Sequence, residues 1–301
     1  MRWTAPTVTA VAGSPESNPE LTSDIVIITV QYRNSHDTDS FVTSLAGLDA
    51  AADCELIVVD NDDSGAAVED LESTRGTSPF PIHVLRPSRN LYYWGGAEFA
   101  LSEFINSKSR RPRWTIICNN DVTFPDRSFL TQLQSLDASL YPIVAPTIIS
   151  EATGRDQNPF LVLPAGPLKR LKWRVYDVNY GLATAMLAVH GLATRAARPL
   201  RRAFRKSTGD AIRQQIYAPH GAFVILSHAF FERGGALDTT IPMFAEELTI
   251  AAQARRLSIP VWHLPELRVS HREHSTTGAG LTRTKYELER RARRHYYDLA
   301  V

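Results

Sequence analysis

Four short apolar runs, rich in β-branched residues, follow one another at residues 24–30, 54–60, 82–85 and 114–118. Apolar runs of this length are typical of strands that are buried on both faces of a sheet. Segments with the apolar spacing of a helix separate the runs, for example residues 97–106. Such alternation predicts parallel strands joined by right-handed crossovers. We therefore predict an α/β fold with a doubly wound, mostly parallel sheet flanked by helices.

Changes in composition divide the chain into four parts. Residues 1–23 are rich in Ser, Thr, Pro and Glu, lack a hydrophobic segment of signal-peptide type and predict a flexible arm. Residues 24–150 carry the alternating strands and helices, and residues 151–215 contain a basic helical insertion. Residues 216–301 hold a second group of polar motifs and a C-terminal helix. We expect the second and fourth parts to share one fold, which the third part interrupts.

Charge and cysteine content exclude some classes of protein. Lys and Arg number 33 and Asp and Glu number 32, which argues against a nucleic-acid partner. The two cysteines, Cys54 and Cys118, lie in or beside apolar runs, so buried thiols are expected rather than a disulfide framework. Buried free thiols suit a reducing compartment, and a cytoplasmic location is therefore expected.

Polar residues follow the predicted strands at their carboxyl ends. Asp60 ends the second strand, Asn90 follows the third, and residues 119–121 (Asn-Asn-Asp) follow the fourth. Ligands bind at this edge of open α/β sheets, and a carboxylate beside amides suits a divalent cation held against a diphosphate. The competing interpretation of residues 119–121 is an Asx turn that closes the strand.

Two common nucleotide-binding motifs are absent. No Gly-x-Gly-x-x-Gly follows the first strand, which disfavours a nicotinamide-dependent oxidoreductase. No Gly-x-x-x-x-Gly-Lys-Ser/Thr loop occurs either, which disfavours a phosphate-binding-loop enzyme. The pair Gly95-Gly96 by itself indicates a loop or a helix start with unusual backbone angles.

The second group of motifs contains two adjacent acids at the predicted start of a helix, Glu246 and Glu247. Their simplest role is to complement the helix dipole. Because neighbouring acids resist ionising together, the pKa of one of them is expected to be raised, which suits a general base at neutral pH. A histidine, His271, follows a predicted short strand at residues 267–270, with His274 three residues later.

The order and spacing of these segments resemble the family 2 glycosyltransferases with the GT-A fold, and more narrowly the rhamnosyl- and galactosyltransferase-like enzymes of polysaccharide biosynthesis. The resemblance covers about residues 24–301 apart from the insertion. The segments that carry it are residues 30–34, 58–64, 90–96, 119–121, 221–223, 237–238, 246–247 and 269–277.

This resemblance implies a role for each matching residue. The metal ligands would be Asp121 and His271, with His274 as a substitute, and the ion would be Mg²⁺ or Mn²⁺. Glu247 takes the position of the catalytic base and Glu246 that of its neighbour. The residues implied to bind the nucleotide-sugar donor are Tyr32, Asp60, Asn90, Gly95, Gly96 and Asn120.

Two positions depart from the family pattern. Asn119 stands where the family has an aspartate, so residues 119–121 offer one carboxylate. Ala97 and Glu98 stand where an asparagine usually follows the glycine pair. These departures put the metal site and the glycine loop in question.

The implied activity is the transfer of a sugar, with inversion, from a UDP- or dTDP-linked donor to a saccharide or polyprenyl-linked acceptor. A nucleotidyltransferase is one alternative, but it should show a Gly-rich, Lys-containing signature where residues 31–34 read Gln-Tyr-Arg-Asn. A non-catalytic module that binds nucleotide sugars is another.

The inserted segment is strongly basic between residues 169 and 206, where Asp177 is the only acid. Its apolar residues recur every three or four positions, which predicts amphipathic helices interrupted near Gly181, Gly191 and Pro199. Such helices suit peripheral attachment to the anionic inner face of the plasma membrane. The alternatives are packing on the protein's own core or on a second subunit of an oligomer. The basic residues are Lys169, Arg170, Lys172, Arg174, Arg195, Arg198, Arg201, Arg202, Arg205 and Lys206.

Overall fold

The computed structural model describes most of the chain, namely residues 24–33, 35–62, 76–196, 212–273 and 281–299, with backbone only at 192–196. Some of the predictions above therefore fall outside the described residues. They concern the arm at residues 1–23, Asn34, residues 63 and 64, the interruption at Pro199, the basic residues at positions 198–206, and His274.

The described residues form nine strands and eight α-helices. The strands are β1 (Ile25–Gln31), β2 (Cys54–Asp60), β3 (Ile82–Leu85), β4 (Trp114–Cys118), β5 (Val122–Thr123), β6 (Ile143–Ser150), β7 (Gln214–Ile216), β8 (Phe223–Ser227) and β9 (Val261–His271). The helices are α1 (Ser35–Ala46), α2 (Tyr92–Lys108), α3 (Phe129–Gln134), α4 (Pro167–Tyr176), α5 (Tyr180–Ala196), α6 (His228–Glu232), α7 (Glu246–Arg256) and α8 (Arg283–Leu299).

All nine strands belong to one sheet, in the order β3-β2-β1-β4-β8-β6-β9-β5, with β7 paired to β9. Strands β1 to β4 are mutually parallel, and β6 is parallel to β9. Strand β8 runs antiparallel to both of its neighbours, β4 and β6. The prediction of a mostly parallel sheet flanked by helices is confirmed, and the reversed central strand β8 is a feature that the prediction lacked.

Both faces of the sheet are covered, which explains the uninterrupted apolar strands. On β1, Ile25 and Ile27 pack in the hydrophobic core under α1, whereas Val26 and Ile28 pack in a second core under α2. Successive side chains of a strand point to opposite faces, so a strand between two helical layers needs apolar residues at every position. Cys54 and Cys118 are buried free thiols in this core, as predicted.

Helix α2 begins at Tyr92, five residues before the predicted start at Ala97. Gly95 and Gly96 therefore lie in its first turns, and neither has a positive φ angle. A Cβ atom on Gly96 would lie 3.2 Å from both Cγ atoms of Val30. The glycine is needed for the close approach of the helix to the sheet, and the predicted unusual backbone angles are not found.

The basic insertion contains two helices, as predicted, but α5 continues through Gly191 rather than breaking there. Helices α4 and α5 pack against the C-terminal helix α8. Arg293 of α8 donates hydrogen bonds of 2.7 and 3.0 Å to Asp177, which follows α4, and Tyr176 donates one of 3.1 Å to Glu289. Among the described residues, no helix is both long and apolar enough to span a bilayer.

Candidate active site

A cleft of about 550 Å³ opens at the carboxyl ends of the parallel strands. The residues that follow β2 and β4 line it, together with His271 at the end of β9 and the first turn of α7. This is the edge of the sheet at which the sequence placed a ligand site. The cleft brings together five of the predicted metal, nucleotide and catalytic residues from one side and the two glutamates from the other. The predicted residues that line the cleft are Tyr32, Asn90, Asn120, Asp121, His271, Glu246 and Glu247.

The pairing of β5 with β9 brings Asp121 and His271 together. Val122 is the register partner of His271, and the backbone N–H of Arg272 donates to the carbonyl of Asp121 at 3.0 Å. As a result, Nε2 of His271 lies 3.2 Å from Oδ1 of Asp121. Both side chains are almost fully buried, so the distance between them is set by the sheet rather than by side-chain motion.

The orientation of the His271 ring suits a metal ligand. Its Nδ1 lies 2.8 Å from Oε1 of Gln157, an atom that can only accept, so Nδ1 carries the proton. Nε2 then presents a lone pair beside the Asp121 carboxylate, with the amide of Asn119 3.4 Å away. Two acceptors facing each other at this distance are stabilised by a cation or a proton. A histidine that binds a metal usually donates its other ring N–H to such a fixed acceptor, as Nδ1 does here to Gln157.

The protein supplies only part of a coordination shell at this position. No cluster of three or more His, Cys, Asp and Glu side chains that could hold a metal occurs in the part of the chain that the structure describes. One carboxylate and one imidazole nevertheless fit an ion such as Mg²⁺, which takes one or two protein ligands and completes its shell with substrate phosphates and water. The residues present therefore fit a cation that is bound together with a diphosphate.

Asparagine side chains shape the end of the cleft that lies beyond β2 and β3. Asn61 donates to the carbonyl of Tyr92 at 2.9 Å and accepts from the amide of Leu91 at 3.2 Å. Asn90 accepts from the amide of Tyr92 at 2.7 Å. These bonds hold residue 92 at a positive φ of 60° and leave its ring 39% exposed in the cleft. Sequence reasoning assigned no contact of its own to Asn61, although it directly follows the aspartate that ends β2.

Asp60, Gly95 and Gly96 do not line the cleft. The Asp60 carboxylate accepts from Nε of Arg86 at 3.2 Å and from the amide of Asp62 at 3.1 Å. Burial raises the pKa of Asp60, and the contacts with Asp62 and Arg86 oppose that rise. Trp94 does not line the cleft either and is buried in the core under α2.

The two glutamates enter the cleft from a constrained turn. Phe244 and Ala245 have φ angles of 68° and 60°, a left-handed conformation that residues other than glycine rarely adopt. Oε1 of Glu246 accepts from the backbone N–H of Phe244 at 2.9 Å and thereby closes the turn. The Glu246 side chain is thus buried and hydrogen-bonded to its own loop, whereas the Glu247 side chain is partly open to the cleft.

Gly221 is the residue against which Glu247 lies. A Cβ atom at position 221 would be 3.2 Å from Oε2 of Glu247, a tight contact that would shift the carboxylate by a few tenths of an ångström. Tyr93 crosses the cleft and donates from its hydroxyl to the carbonyl of Gly221 at 3.1 Å. Sequence reasoning had given Gly221 and Tyr93 no such role, because their contact joins residues 128 positions apart.

Both glutamates have raised pKa values. Burial raises the pKa of Glu246 to about 8, and the charge of Glu247 adds to this effect. Burial also raises the pKa of Glu247, to about 7. Burial is thus the main cause of both shifts, whereas the sequence predicted one raised pKa from the adjacency of the two acids.

Two other candidates for the base are held in different roles. His220 accepts from the amide of Ala222 at Nδ1 (3.2 Å), and burial together with the nearby His271 lowers its pKa to about 4. Asp238 lies 2.6 Å from Nε2 of His295 and accepts from the amide of Thr240 at 3.0 Å, away from the cleft. Neither residue replaces the glutamates.

No protein-family model matches the chain, and neither does any curated protein. Solved structures do match it. Residues 1–349 of S. aureus TarS, in complex with UDP-GlcNAc, align with 88% of this chain and 64% of that one at 11% identity and a TM-score of 0.55. GalNAc-T7 with UDP, GalNAc and Mn²⁺ aligns over 88% of this chain and 46% of that one at 12% identity and a TM-score of 0.54. The chain thus spans less than two thirds of these structures, and the similarity shows that its fold is the GT-A fold of nucleotide-sugar glycosyltransferases.

Proposed function

We propose that this protein is a glycosyltransferase that moves a sugar from a nucleoside-diphosphate sugar to a hydroxyl group of a saccharide or lipid-linked saccharide. The observation that carries the proposal is one cleft with a carboxylate–imidazole pair on one side and two acids of raised pKa on the other. The diphosphate of a donor needs a cation, and the hydroxyl of an acceptor needs a base that removes its proton. The Asp121–His271 pair suits the first and the two glutamates suit the second. The solved structures with the same fold include one that holds UDP-GlcNAc.

On the donor side, Tyr32 and Tyr92 offer aromatic faces for the base or ribose, and Asn120 borders the same space. Asp121 and His271 would hold a divalent cation, Mg²⁺ or Mn²⁺. When bound, such an ion supplies Lewis-acid stabilisation of the negative charge on a leaving diphosphate. We assign the donor to the UDP- or dTDP-linked sugars, in line with the family resemblance of the sequence.

On the acceptor side, Glu247 is the better general base. Its carboxylate is partly open to the cleft and its pKa of about 7 lets it accept a proton near neutral pH. Glu246 has the higher pKa, and one of its carboxylate oxygens accepts a hydrogen bond from the backbone of the preceding turn. As Glu247 removes the hydroxyl proton, the acceptor oxygen attacks the anomeric carbon and the bond to the diphosphate breaks. A single displacement of this kind inverts the anomeric centre.

We place the reaction in surface polysaccharide synthesis at the cytoplasmic side of the membrane. Leu168, Leu171 and Val175 lie on one side of α4 and are 83%, 57% and 38% exposed. The basic residues of the same helix flank them. An apolar stripe bordered by lysine and arginine suits peripheral binding to an anionic bilayer.

The proposal is tested by titrating nucleotide sugars against the protein with Mg²⁺, with Mn²⁺ and with a chelator. We expect one donor to bind in a metal-dependent way and to be transferred, or slowly hydrolysed. Asp121→Ala should remove the metal-dependent part of the affinity, while Glu232→Ala, at an exposed carboxylate outside the cleft, should not. Equal donor affinity with and without metal in the wild type would contradict the metal role of Asp121 and His271.

The same assay separates the two alternatives. A nucleotidyltransferase would consume a nucleoside triphosphate and a sugar phosphate and release inorganic diphosphate. A non-catalytic binding module would bind the nucleotide sugar but neither transfer nor hydrolyse it.

A further inference from the structure

A second cavity, of about 400 Å³, lies where α4 and α5 pack on α8. Two aromatic residues of α4, Trp173 and Tyr176, form part of its wall, and Leu187 of α5 forms another part. Cationic side chains from both sides complete it: Lys172 from α4, and Lys285 together with Arg293 from α8. The cavity is separate from the cleft described above, and nothing in the proposed reaction uses it.

The charges inside this cavity are unevenly matched. Arg293 is held by Asp177 at 2.7 Å and by Glu289 at 3.4 Å, and Glu289 also accepts from Tyr176. Together these three groups carry a net charge of −1. Within the described ranges, by contrast, neither the ammonium group of Lys172 nor that of Lys285 forms an ion pair with a carboxylate. The two lysines bring the net charge of these groups to +1, and they line the cavity together with Trp173 and Tyr176. A positively charged cavity of this kind suits an anionic ligand.

The cavity lies near the cleft on one side and near an exposed apolar surface on the other. Nζ of Lys285 lies 5.8 Å from the ring centroid of Phe244, and Phe244 lines the cleft beside the two glutamates. On the other side, Leu187 both lines the cavity and is 44% exposed. The cavity thus lies between the acceptor end of the cleft and an exposed apolar surface.

We propose that this cavity binds the phosphate or diphosphate group of an amphiphilic acceptor whose apolar chain lies along the exposed side of α4 and α5. The lysines would contact the phosphate oxygens, because ammonium–phosphate hydrogen bonds are charge-assisted and strong. The sugar that carries the phosphate would then extend past Phe244 toward Glu247. The inference rests on the proposed function, since it assigns the class of acceptor for the same cleft.

The test uses the full-length protein and farnesyl diphosphate as the probe, with the dissociation constant measured by calorimetry in the presence of a chelator. We compare wild type with the double variant Lys172→Gln, Lys285→Gln. The matched control is Arg174→Gln, Arg283→Gln, which removes two charges from the same two helices outside the cavity. We expect the lysine variant to bind about tenfold more weakly or worse, because two charge-assisted contacts are lost, and the control to change by less than about twofold.

Three further arms identify the ligand. Farnesol, which has the same chain but no phosphate, should bind more weakly than farnesyl diphosphate and should not respond to the lysine variant. Inorganic diphosphate should also bind more weakly; binding as tight as that of farnesyl diphosphate would mean a water-soluble ligand and overturn the lipid assignment. When Mg²⁺ replaces the chelator, Asp121→Asn should leave the lysine-dependent part of the binding unchanged, because that binding occurs outside the cleft.

The proposal is overturned if the lysine variant binds farnesyl diphosphate like wild type, if farnesol binds equally well, or if Asp121→Asn abolishes binding. Titration with nucleotide sugars keeps the two proposals apart. Lysine-dependent binding of farnesyl diphosphate without any binding of nucleotide sugars would retain the cavity and reject the glycosyltransferase. The opposite pattern would retain the enzyme and reject the cavity.

Discussion

The carboxylate of Glu247 lies against Gly221, where a Cβ atom would make a tight contact of 3.2 Å with Oε2. Gly221 provides the space for the carboxylate, and its carbonyl is fixed by the hydroxyl of Tyr93. Glu246 is tied to the backbone of Phe244 by its own side chain. Adjacent helix positions point about 100° apart, so the two acids cannot serve the same hydroxyl group. The two acids are adjacent in the sequence, but their side chains have different contacts in the structure.

We expect Glu247→Gln to lower kcat by about 10²- to 10⁴-fold and to leave donor affinity unchanged, because a general base acts in the transition state. Glu246→Gln should lose less, since a glutamine oxygen can still accept from Phe244. In the wild type, kcat/KM should rise with pH up to about 7, where Glu247 becomes ionised. Steady-state kinetics from pH 5 to pH 9 measure all three. If Glu246→Gln is the inactive variant, the two roles are reversed.

Gly221→Ala is expected to reduce kcat by about 10²-fold, because its Cβ would lie 3.2 Å from Oε2 of Glu247 and displace the carboxylate. Donor binding and the melting temperature should change little. The control is Gly191→Ala, where a Cβ atom meets nothing within 4 Å. Wild-type kcat in Gly221→Ala would show that Glu247 is not positioned by this contact.

At the scale of elements, strands were more predictable from sequence than helices and turns. An unbroken apolar run such as residues 114–118 can only be buried, so β4 was predicted with its correct limits. The length of β9 was underestimated because residues 261–266 gain their strand conformation by pairing with β6 and β7, which are distant in sequence.

The same reasoning applies to the site. The sequence could place Asp121 and the two glutamates at the ends of recognisable elements, and the family resemblance added His271. Their roles as metal ligands and base stay predictions. Gln157 and Asn158 could not be predicted, because tertiary contacts select them. Gln157 fixes the ring of His271, and Asn158 accepts from the amide of His220 at 2.7 Å. No local pattern marks such residues.

The attachment of the inserted helices to α8 can be tested at its ion pair. Arg293→Gln would leave the carboxylate of Asp177, which is mostly buried, without its cation, and such losses cost up to about 3 kcal/mol when the pair is not fully buried. We expect faster hydrogen exchange in α4 and α5, with β1 to β4 unaffected. Arg283→Gln, on the exposed side of α8, is the control. Unchanged exchange in α4 would show that the pair does not hold the insertion.

On the scale of the whole molecule, the apolar stripe of α4 is exposed rather than packed against the core. Helix α4 has no buried residue, although its sequence has an amphipathic pattern. Such a pattern is normally buried against a core. In this molecule the aromatic residues on one side of α4 face α8, and the stripe at Leu168, Leu171 and Val175 faces outward.

We expect the protein to bind vesicles that contain anionic lipid and to be released by salt, since the reach of charges shortens to about 8 Å at physiological ionic strength. Leu168→Gln with Leu171→Gln should weaken binding by about tenfold or more, because two apolar side chains no longer enter the bilayer. Leu140→Gln, at an exposed leucine far from α4 in sequence, is the control. Co-sedimentation measures both. Equal binding of all three proteins would assign the stripe to another partner.

Strand β8 has a consequence for how the chain is made. It lies between β4 and β6, which do not pair with each other, yet it is synthesised only at residues 223–227. While the ribosome translates the first two hundred or so residues, the emerging sheet has a gap at its centre. Strands β4 and β6 then present unpaired edges, which are prone to aggregation. The nascent chain therefore cannot assemble its cleft in stages, and separately expressed halves should need each other, or a chaperone, to remain in solution.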